Sequence, residues 1–179
     1  AKKYRNTPDI PLSSADSTFV SSNQNLIKME KVSIQAFQII GIAVRTNHED
    51  AMKDITGLWQ QWMSQNLVEQ IPNKVSPAVY SIYTDYESDY MGAYTTILGC
   101  QVENLDAVPA GMVSYSFDGG NYQKMTAKGD LSEGIVVQAW QEIWQRDKEL
   151  NRAYTADFEI YGARAMNPSD AEVDIFLAV

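Results

Sequence analysis

One cysteine and one histidine are all that this chain of 179 residues carries. Cys100 alone cannot form an intrachain disulfide, and its neighbours Leu98 and Val102 make it read as a small buried thiol. A reducing, cytoplasmic setting is expected. The lone His48 argues against His-rich zinc sites and removes most Ser-His-Asp arrangements. At the start of an expected helix it reads as solvated. Basic residues are scarce as well: 14 Lys and Arg stand against 23 Asp and Glu, for a formal charge of −9 and a pI near 4.5. Nucleic-acid affinity comes mainly from neutralising phosphates with Lys and Arg, so direct nucleic-acid binding is not expected. Cationic ligands and basic protein partners are favoured instead. No apolar run approaches the ~18 residues of a membrane span, so no membrane partner is expected. The N-terminal stretch also lacks the apolar core of a signal peptide. The acidic turn Asp85-Tyr86-Glu87-Ser88-Asp89 has neither the spacing nor the glycine of a calcium loop and reads as a solvated hairpin. Neither a metal nor a cofactor is expected.

What the chain does have is an ordinary globular composition, 45% hydrophobic with a mean hydropathy of −0.30. Its length suits one domain, or one domain of two similar halves. Residues 1–30 form a polar arm rich in Ser, Asn, Thr and Asp, in which Phe19, Val20, Leu26 and Ile27 are available to dock on this subunit or on a neighbour. The second case would make a homodimer through the arm. Residues 31–179 form the folded domain, with halves of about 31–107 and 108–179.

Within the first half, Val32 to Thr46 reads as a strand. A helix follows, begun by Asn47 and Asp50 at capping-box spacing and carrying the stripe Met52, Ile55, Leu58, Trp59, Trp62, Met63. Strands at Ala78 to Thr84 and Met91 to Val102 complete it. After Pro109-Ala110-Gly111 the plan recurs. Met112 to Phe117 and Tyr122 to Lys128 are extended, and Asp130 caps a helix with Glu133 at the box position. That helix carries the stripe Ile135, Val136, Ala139, Trp140, Ile143, Trp144. Sliding one half over the other so that Trp140 meets Trp59 also brings Val136 onto Ile55 and Gln141 onto Gln60. Further on, Phe158-Glu159-Ile160-Tyr161 meets Tyr80-Ser81-Ile82-Tyr83. The expected fold is therefore α+β, a duplicated strand-helix-strand-strand unit with a groove between the copies, a usual place for a small-molecule site.

The last two strands carry the candidate site. In Ala156 to Tyr161, Phe158 and Ile160 fall on one side and Asp157, Glu159 and Tyr161 on the other; Glu172 to Val179 alternates likewise. Paired as a hairpin with their apolar sides under a helix, they place Asp157, Glu159, Tyr161, Asp174 and Phe176 on one shared surface. By parity Tyr83 belongs to the cleft and Tyr80 faces its helix. Ser81 occupies the place of Glu159 in the other half. Taken alone, the alternation favours a merely solvated Glu159. The four tryptophans read as core, with Trp59 and Trp140 structural and one tryptophan reaching the cleft.

Two segments resemble a known family: Tyr83-Thr84-Asp85-Tyr86-Glu87-Ser88-Asp89 followed by Tyr94-Thr95-Thr96-Ile97-Leu98-Gly99, and Lys128-Gly129 leading to Ala139-Trp140-Gln141-Glu142-Ile143-Trp144 and Asp157-Phe158-Glu159-Ile160-Tyr161. With Val108-Pro109-Ala110-Gly111-Met112 between them, the chain from about Lys31 to Val179 is similar to the effector-binding domain of multidrug-sensing transcription activators and gyrase-inhibitory-protein-like proteins. The resemblance implies a pseudo-twofold α+β fold of antiparallel sheets with a central cleft. A strand glutamate, here Glu159, would meet a lipophilic or aromatic cation between aromatic rings. No helix-turn-helix segment is found, so a stand-alone binding module is expected. The candidate ligand site comprises Glu159 as counter-ion, Tyr161, Tyr83 and Phe176 as walls, and Asp174 and Ser81. Two alternatives stay open: hydrolysis of strained electrophilic small molecules by the cleft glutamate, and an acidic protein-interaction module inhibiting a DNA-handling enzyme. Binding is preferred over both.

Overall fold

Runs rich in Ile, Val, Tyr and Thr suit a pleated, half-buried surface, and they build eight strands in the structure, a computed structural model that describes residues 28–179. The arm and its docking residues lie outside the described residues. The strands are β1 (Glu30–Ile34), β2 (Phe37–Thr46), β3 (Val79–Thr84), β4 (Tyr94–Val102), β5 (Val113–Phe117), β6 (Gly120–Gly129), β7 (Ala156–Tyr161) and β8 (Ala171–Ala178). Between them lie the helices α1 (Ala51–Ser64), α2 (Leu67–Gln70), α3 (Ile135–Gln145) and α4 (Asp147–Leu150). None of the described helices is long and apolar enough to cross a membrane.

All eight strands join one antiparallel sheet in the order β1-β6-β8-β7-β3-β4-β2-β5. Exchanging each strand with its counterpart in the other half leaves that order unchanged, so a pseudo-twofold axis runs between β3 and β7. The stretch expected as one strand from Val32 to Thr46 is two, broken at Gln35-Ala36. The break lets β1 leave its own half and pair with β6, just as β5 pairs with β2. Each half thus lends its first strand to the other.

Both longer helices lie on the same side of the sheet. Leu58 and Trp62 of α1 pack on Ile40, Ile42, Leu98 and Cys100, while Ala139, Trp140 and Ile143 of α3 pack on Met125, Ala127, Ile175 and Leu177. Burial pushes the Cys100 thiol up to about 11, as expected for an inert core cysteine. The opposite side needs no helix. The sheet closes over its own aromatic cluster, where Phe158 stacks on Phe176 with centroids 4.8 Å apart and meets Phe37 and Tyr122 at an angle.

The helix starts differ in detail from a capping box. Asn47 Oδ1 accepts from the backbone N–H of Glu49 and Asp50, both at 2.9 Å, and Asn47 Nδ2 donates to Asp50 Oδ2. Asp130 caps a 3-10 turn, Leu131–Glu133, rather than α3 itself, accepting from Ser132 N at 2.8 Å. α3 begins only after the left-handed Gly134 (φ 73°).

Strands β2 and β4 approach so closely at the Gly41↔Gly99 pair that a Cβ on Gly41 would sit 1.9 Å from Leu98 O. Gly41→Ala forces the backbones apart and is expected to lower unfolding free energy by about 1–3 kcal/mol, measured by denaturant titration. An unchanged midpoint would mean the pair has slack.

Candidate functional site

The antiparallel register of β3 and β7 sets Ser81 directly opposite Glu159, so the pseudo-twofold passes between them. Two residues beyond each, Tyr83 and Tyr161 point to the same side of the sheet as Glu159. Their hydroxyls close on it from both sides: Tyr83 OH donates to Glu159 Oε1 at 2.8 Å and Tyr161 OH to Oε2 at 2.7 Å. From α3 above, Trp140 Nε1 donates to Oε1 at 2.6 Å. The carboxylate is 2% exposed. Burial raises its pKa above the ordinary carboxylate value, against the pull of the hydrogen bonds from Tyr161, Tyr83 and Trp140. Burial and the neighbouring Glu159 charge in turn hold both tyrosines well above the usual phenol range.

Duplication repeats the walls. The Tyr83 ring meets Trp140 edge-on at 5.2 Å, and its counterpart Tyr161 meets Trp59 edge-on at 5.0 Å. Between α1 and α3 these rings bound a cavity of about 420 Å³ whose lining includes Tyr86, Tyr90, Tyr94, Trp144, Arg152 and Glu159. At the mouth, Tyr90 stacks on Trp144 at 6.0 Å, and His48 meets Trp144 edge-on at 5.0 Å.

 

A second buried network braces one wall. Arg152 NH2 lies 2.6 Å from Asp157 Oδ2, with side-chain exposures of 1% and 0%, and Arg152 NH1 lies 3.2 Å from Asp147 Oδ1. Tyr86 OH donates to the same Asp157 oxygen at 2.7 Å, while the backbone N–H of Ala178 donates to Oδ1 at 2.9 Å. Burial pulls the Arg152 pKa down, but the Asp157 charge and hydrogen bond, together with the neighbouring Tyr86 and Tyr154, more than offset this and leave it raised. This network ties β7, β8, α4 and the β3–β4 loop together beside the cavity. Among the described residues no cluster of three or more His, Cys, Asp or Glu is placed to hold a metal ion.

Of the six residues expected in the site, Glu159, Tyr161 and Tyr83 come together at the cavity floor. Ser81 stands one step behind, fully buried, its Oγ donating to Tyr83 OH at 3.2 Å. Asp174 and Phe176 lie on the other side of the sheet. The register pairs Glu159 with Ile175 and Phe158 with Phe176, one residue away from the shared surface expected, and such a slip exchanges the two faces. Phe176 therefore joins the aromatic core. Asp174 accepts from Thr126 Oγ1 at 2.7 Å and pairs with Arg164 and Lys124. Tyr80 is corrected in the same way: it stacks on Phe158 at 5.9 Å, away from both helices. Trp59 and Trp140, expected to be structural, line the cavity, and His48, expected to be solvated, is exposed but stands at its mouth. Asp157 is on the Glu159 side as expected, but spends both oxygens on the buried network. Sequence reasoning missed Trp144, Tyr86, Tyr90, Tyr94 and Arg152 as cavity residues. The helical stripe of α3 and the resemblance segments contained Trp144, Tyr86 and Tyr94; nothing marked Tyr90 or Arg152.

This geometry has a counterpart in known proteins. The family profile described as "Cass2: Integron-associated effector binding protein" matches residues 32–179. The chain belongs to that family. It is 29% identical over 143 residues to the putative transcriptional regulator protein YobU of Bacillus subtilis, covering 78% of this chain and 89% of that protein. The integron cassette protein VCH_CASS2, from the mobile metagenome of Vibrio cholerae, is 29% identical with a TM-score of 0.67, over 84% of this chain and 95% of its own. SAV2435, solved bound to tetraphenylphosphonium, shares the fold at 16% identity with a TM-score of 0.70, over 84% and 93% of the two chains. The fold is that of effector-binding domains, and the family's role as small-molecule-binding modules agrees with an aromatic cavity of this size.

Two outcomes test the site. The Glu159 pKa is raised on folding, so its contribution to stability is fully present below the unfolded value and is lost as pH rises through the folded one. Glu159→Gln can keep the bonds from Tyr83 and Trp140 on Oε1 and donate to Tyr161 from Nε2. Its melting temperature relative to the parent is therefore expected to climb between about pH 4.5 and neutrality; a flat difference would contradict the buried charge. Second, Asp157→Ala strands the buried Arg152 and is expected to cost about 3–5 kcal/mol, while Asp157→Leu combined with Arg152→Met costs less than the two single changes together. Chemical denaturation of the parent, Asp157→Ala, Asp157→Leu, Arg152→Met and the double variant measures both quantities, and strict additivity would mean that the two side chains do not interact.

Proposed function

We propose that the cavity captures a lipophilic aromatic cation, with Glu159 as the counter-charge. The observation that carries this reading is a carboxylate 2% exposed at the floor of a ring-lined cavity, with no ion pair among the described residues. Arg152, the only Lys or Arg of the lining among the described residues, is already committed to Asp157 and Asp147. An anion held away from water favours any counter-charge that can reach it cheaply. A large, weakly hydrated cation does so while also covering the apolar walls. Each well-placed ring face adds about 0.5–2 kcal/mol by cation–π attraction, and Tyr83, Tyr161, Trp59 and Trp140 all border the floor. The tetraphenylphosphonium complex of SAV2435, a protein of the same fold, is in keeping with this chemistry.

Tetraphenylphosphonium and tetraphenylborate are ions of nearly the same shape and opposite charge, and titration of indole fluorescence with each provides the test. The cation is expected to bind at least about tenfold tighter, since opposite charges a few ångströms apart at an effective dielectric near 20 interact by several kcal/mol. Glu159→Gln should bring the two close to parity. Equal affinity of parent and variant for the cation would remove Glu159 from the site.

A further inference from the structure

The carboxylate at the cavity floor has little hydrogen-bonding capacity left. An ionised carboxylate accepts about four hydrogen bonds, two on each oxygen. Oε1 already receives Tyr83 OH and Trp140 Nε1, and Oε2 receives Tyr161 OH. A single acceptor position, on Oε2, remains. Behind the floor, Ser81 Oγ donates to Tyr83 OH and so engages an acceptor position on that phenol. Tyr86 OH is turned onto Asp157, and the indoles of Trp59, Trp140 and Trp144 accept nothing. Tyr161 OH, while donating to Oε2, keeps a phenol acceptor position beside it, and the other side-chain acceptors of the lining, on His48, Thr56, Tyr90, Tyr94 and Gln141, are not hydrogen-bonded to Glu159. The floor thus offers negative charge with fewer free acceptors than a donor-rich cation needs.

Resting on the reading above, the geometry points to a selection rule within the cations: the site takes permanently charged groups that carry no N–H, such as quaternary ammonium, phosphonium or N-alkylated heteroaromatic rings, and discriminates against primary ammonium and guanidinium groups of similar size. A primary ammonium brings three donors and a guanidinium five. Each N–H that leaves water and finds no acceptor costs about tenfold or more in affinity. A quaternary centre has no such donors, and its alkyl or aryl groups meet the rings directly, as in the aromatic cages that hold methylated ammonium ions. The same three donors solvate Glu159 when the cavity is empty, so the charge stands ready and no protein hydrogen bond has to break when a donor-free cation arrives.

The test uses three ligands on one skeleton at pH 7: (1-naphthylmethyl)trimethylammonium, 1-naphthylmethylammonium, and the neutral carbon analogue 1-neopentylnaphthalene. Calorimetric or fluorescence titration of the full chain is expected to give the quaternary ion an affinity about tenfold or more above that of the primary ion. Tyr83→Phe keeps the ring but frees an acceptor position on Oε1, and should narrow that ratio by restoring the primary ion. Tyr161→Phe, which exchanges a phenol acceptor for a stronger carboxylate one, should do the same and serves if the first variant fails to fold. Equal binding of the quaternary and primary ions to the parent overturns the selection rule and leaves cation binding intact. A preference that survives unchanged in the folded Phe variants also overturns it, because hydrophobicity alone would then account for the ratio. Binding of the neutral analogue as tight as that of the quaternary ion would instead defeat the cation reading itself.

Discussion

The structure depends on one buried carboxyl group held by three neutral donors. Placing a carboxylate out of water is costly unless its lone pairs are engaged. Here two phenols and an indole replace water around Glu159, each at 2.6 to 2.8 Å. The three donors come from three elements, β3, β7 and α3. Their convergence requires β3 and β7 to pair in the observed register and α3, packed on β6 and β8, to reach Glu159 with Trp140.

Duplication explains why the site takes this form. A pseudo-twofold between β3 and β7 supplies two Tyr–Trp pairs, Tyr83 with Trp140 and Tyr161 with Trp59, facing each other across the floor. Symmetry alone would make a neutral aromatic box. The asymmetry lies on the axis, where one copy has Ser81 and the other Glu159. Trp140 donates to the carboxylate, whereas its counterpart Trp59 contributes its edge-on contact with Tyr161. The charge thus polarises a cavity whose shape is shared by both halves, and Ser81 completes the donor chain through Tyr83. The Arg152–Asp157 pair plays a different part. It fixes the β3–β4 loop through Tyr86 and ends one wall, and with both charges spent on each other and on Asp147 it leaves Glu159 as the unpaired charge of the lining among the described residues.

Much of this was legible in the chain. Period-2 alternation placed Glu159 and Tyr161 on one side of β7 and Tyr83 on the matching side of β3, and the structure keeps all three together. The repeat of Trp59 in Trp140 and of Tyr83 in Tyr161 announced the two halves. The faces of β8 were misassigned because alternation sets which residues within a strand share a side, but not which residue of the neighbouring strand lies opposite. The connection through Ala163–Ala165 and Pro168–Asp170, two 3-10 turns, decides that, and it places Ile175 beside Glu159. The tryptophans were misjudged for a related reason. A helical stripe identifies an inward face, yet inward here means core for Trp62, cavity for Trp59 and Trp144, and both for Trp140.

By itself, the sequence determined the composition of the site: an acidic chain, a strand glutamate flanked by tyrosine, a duplicated strand and helix pattern, and too few His and Cys residues for common metal or triad chemistry. These follow from local periodicity and residue chemistry, which need no partner strand. Only the tertiary structure decided that both helices cover the Glu159 side, that the first strands cross between halves, and that Arg152 and Asp157 neutralise each other beside the cavity. Those outcomes rest on long-range register and on which buried charge finds which partner, and both are settled by packing between segments far apart in the chain.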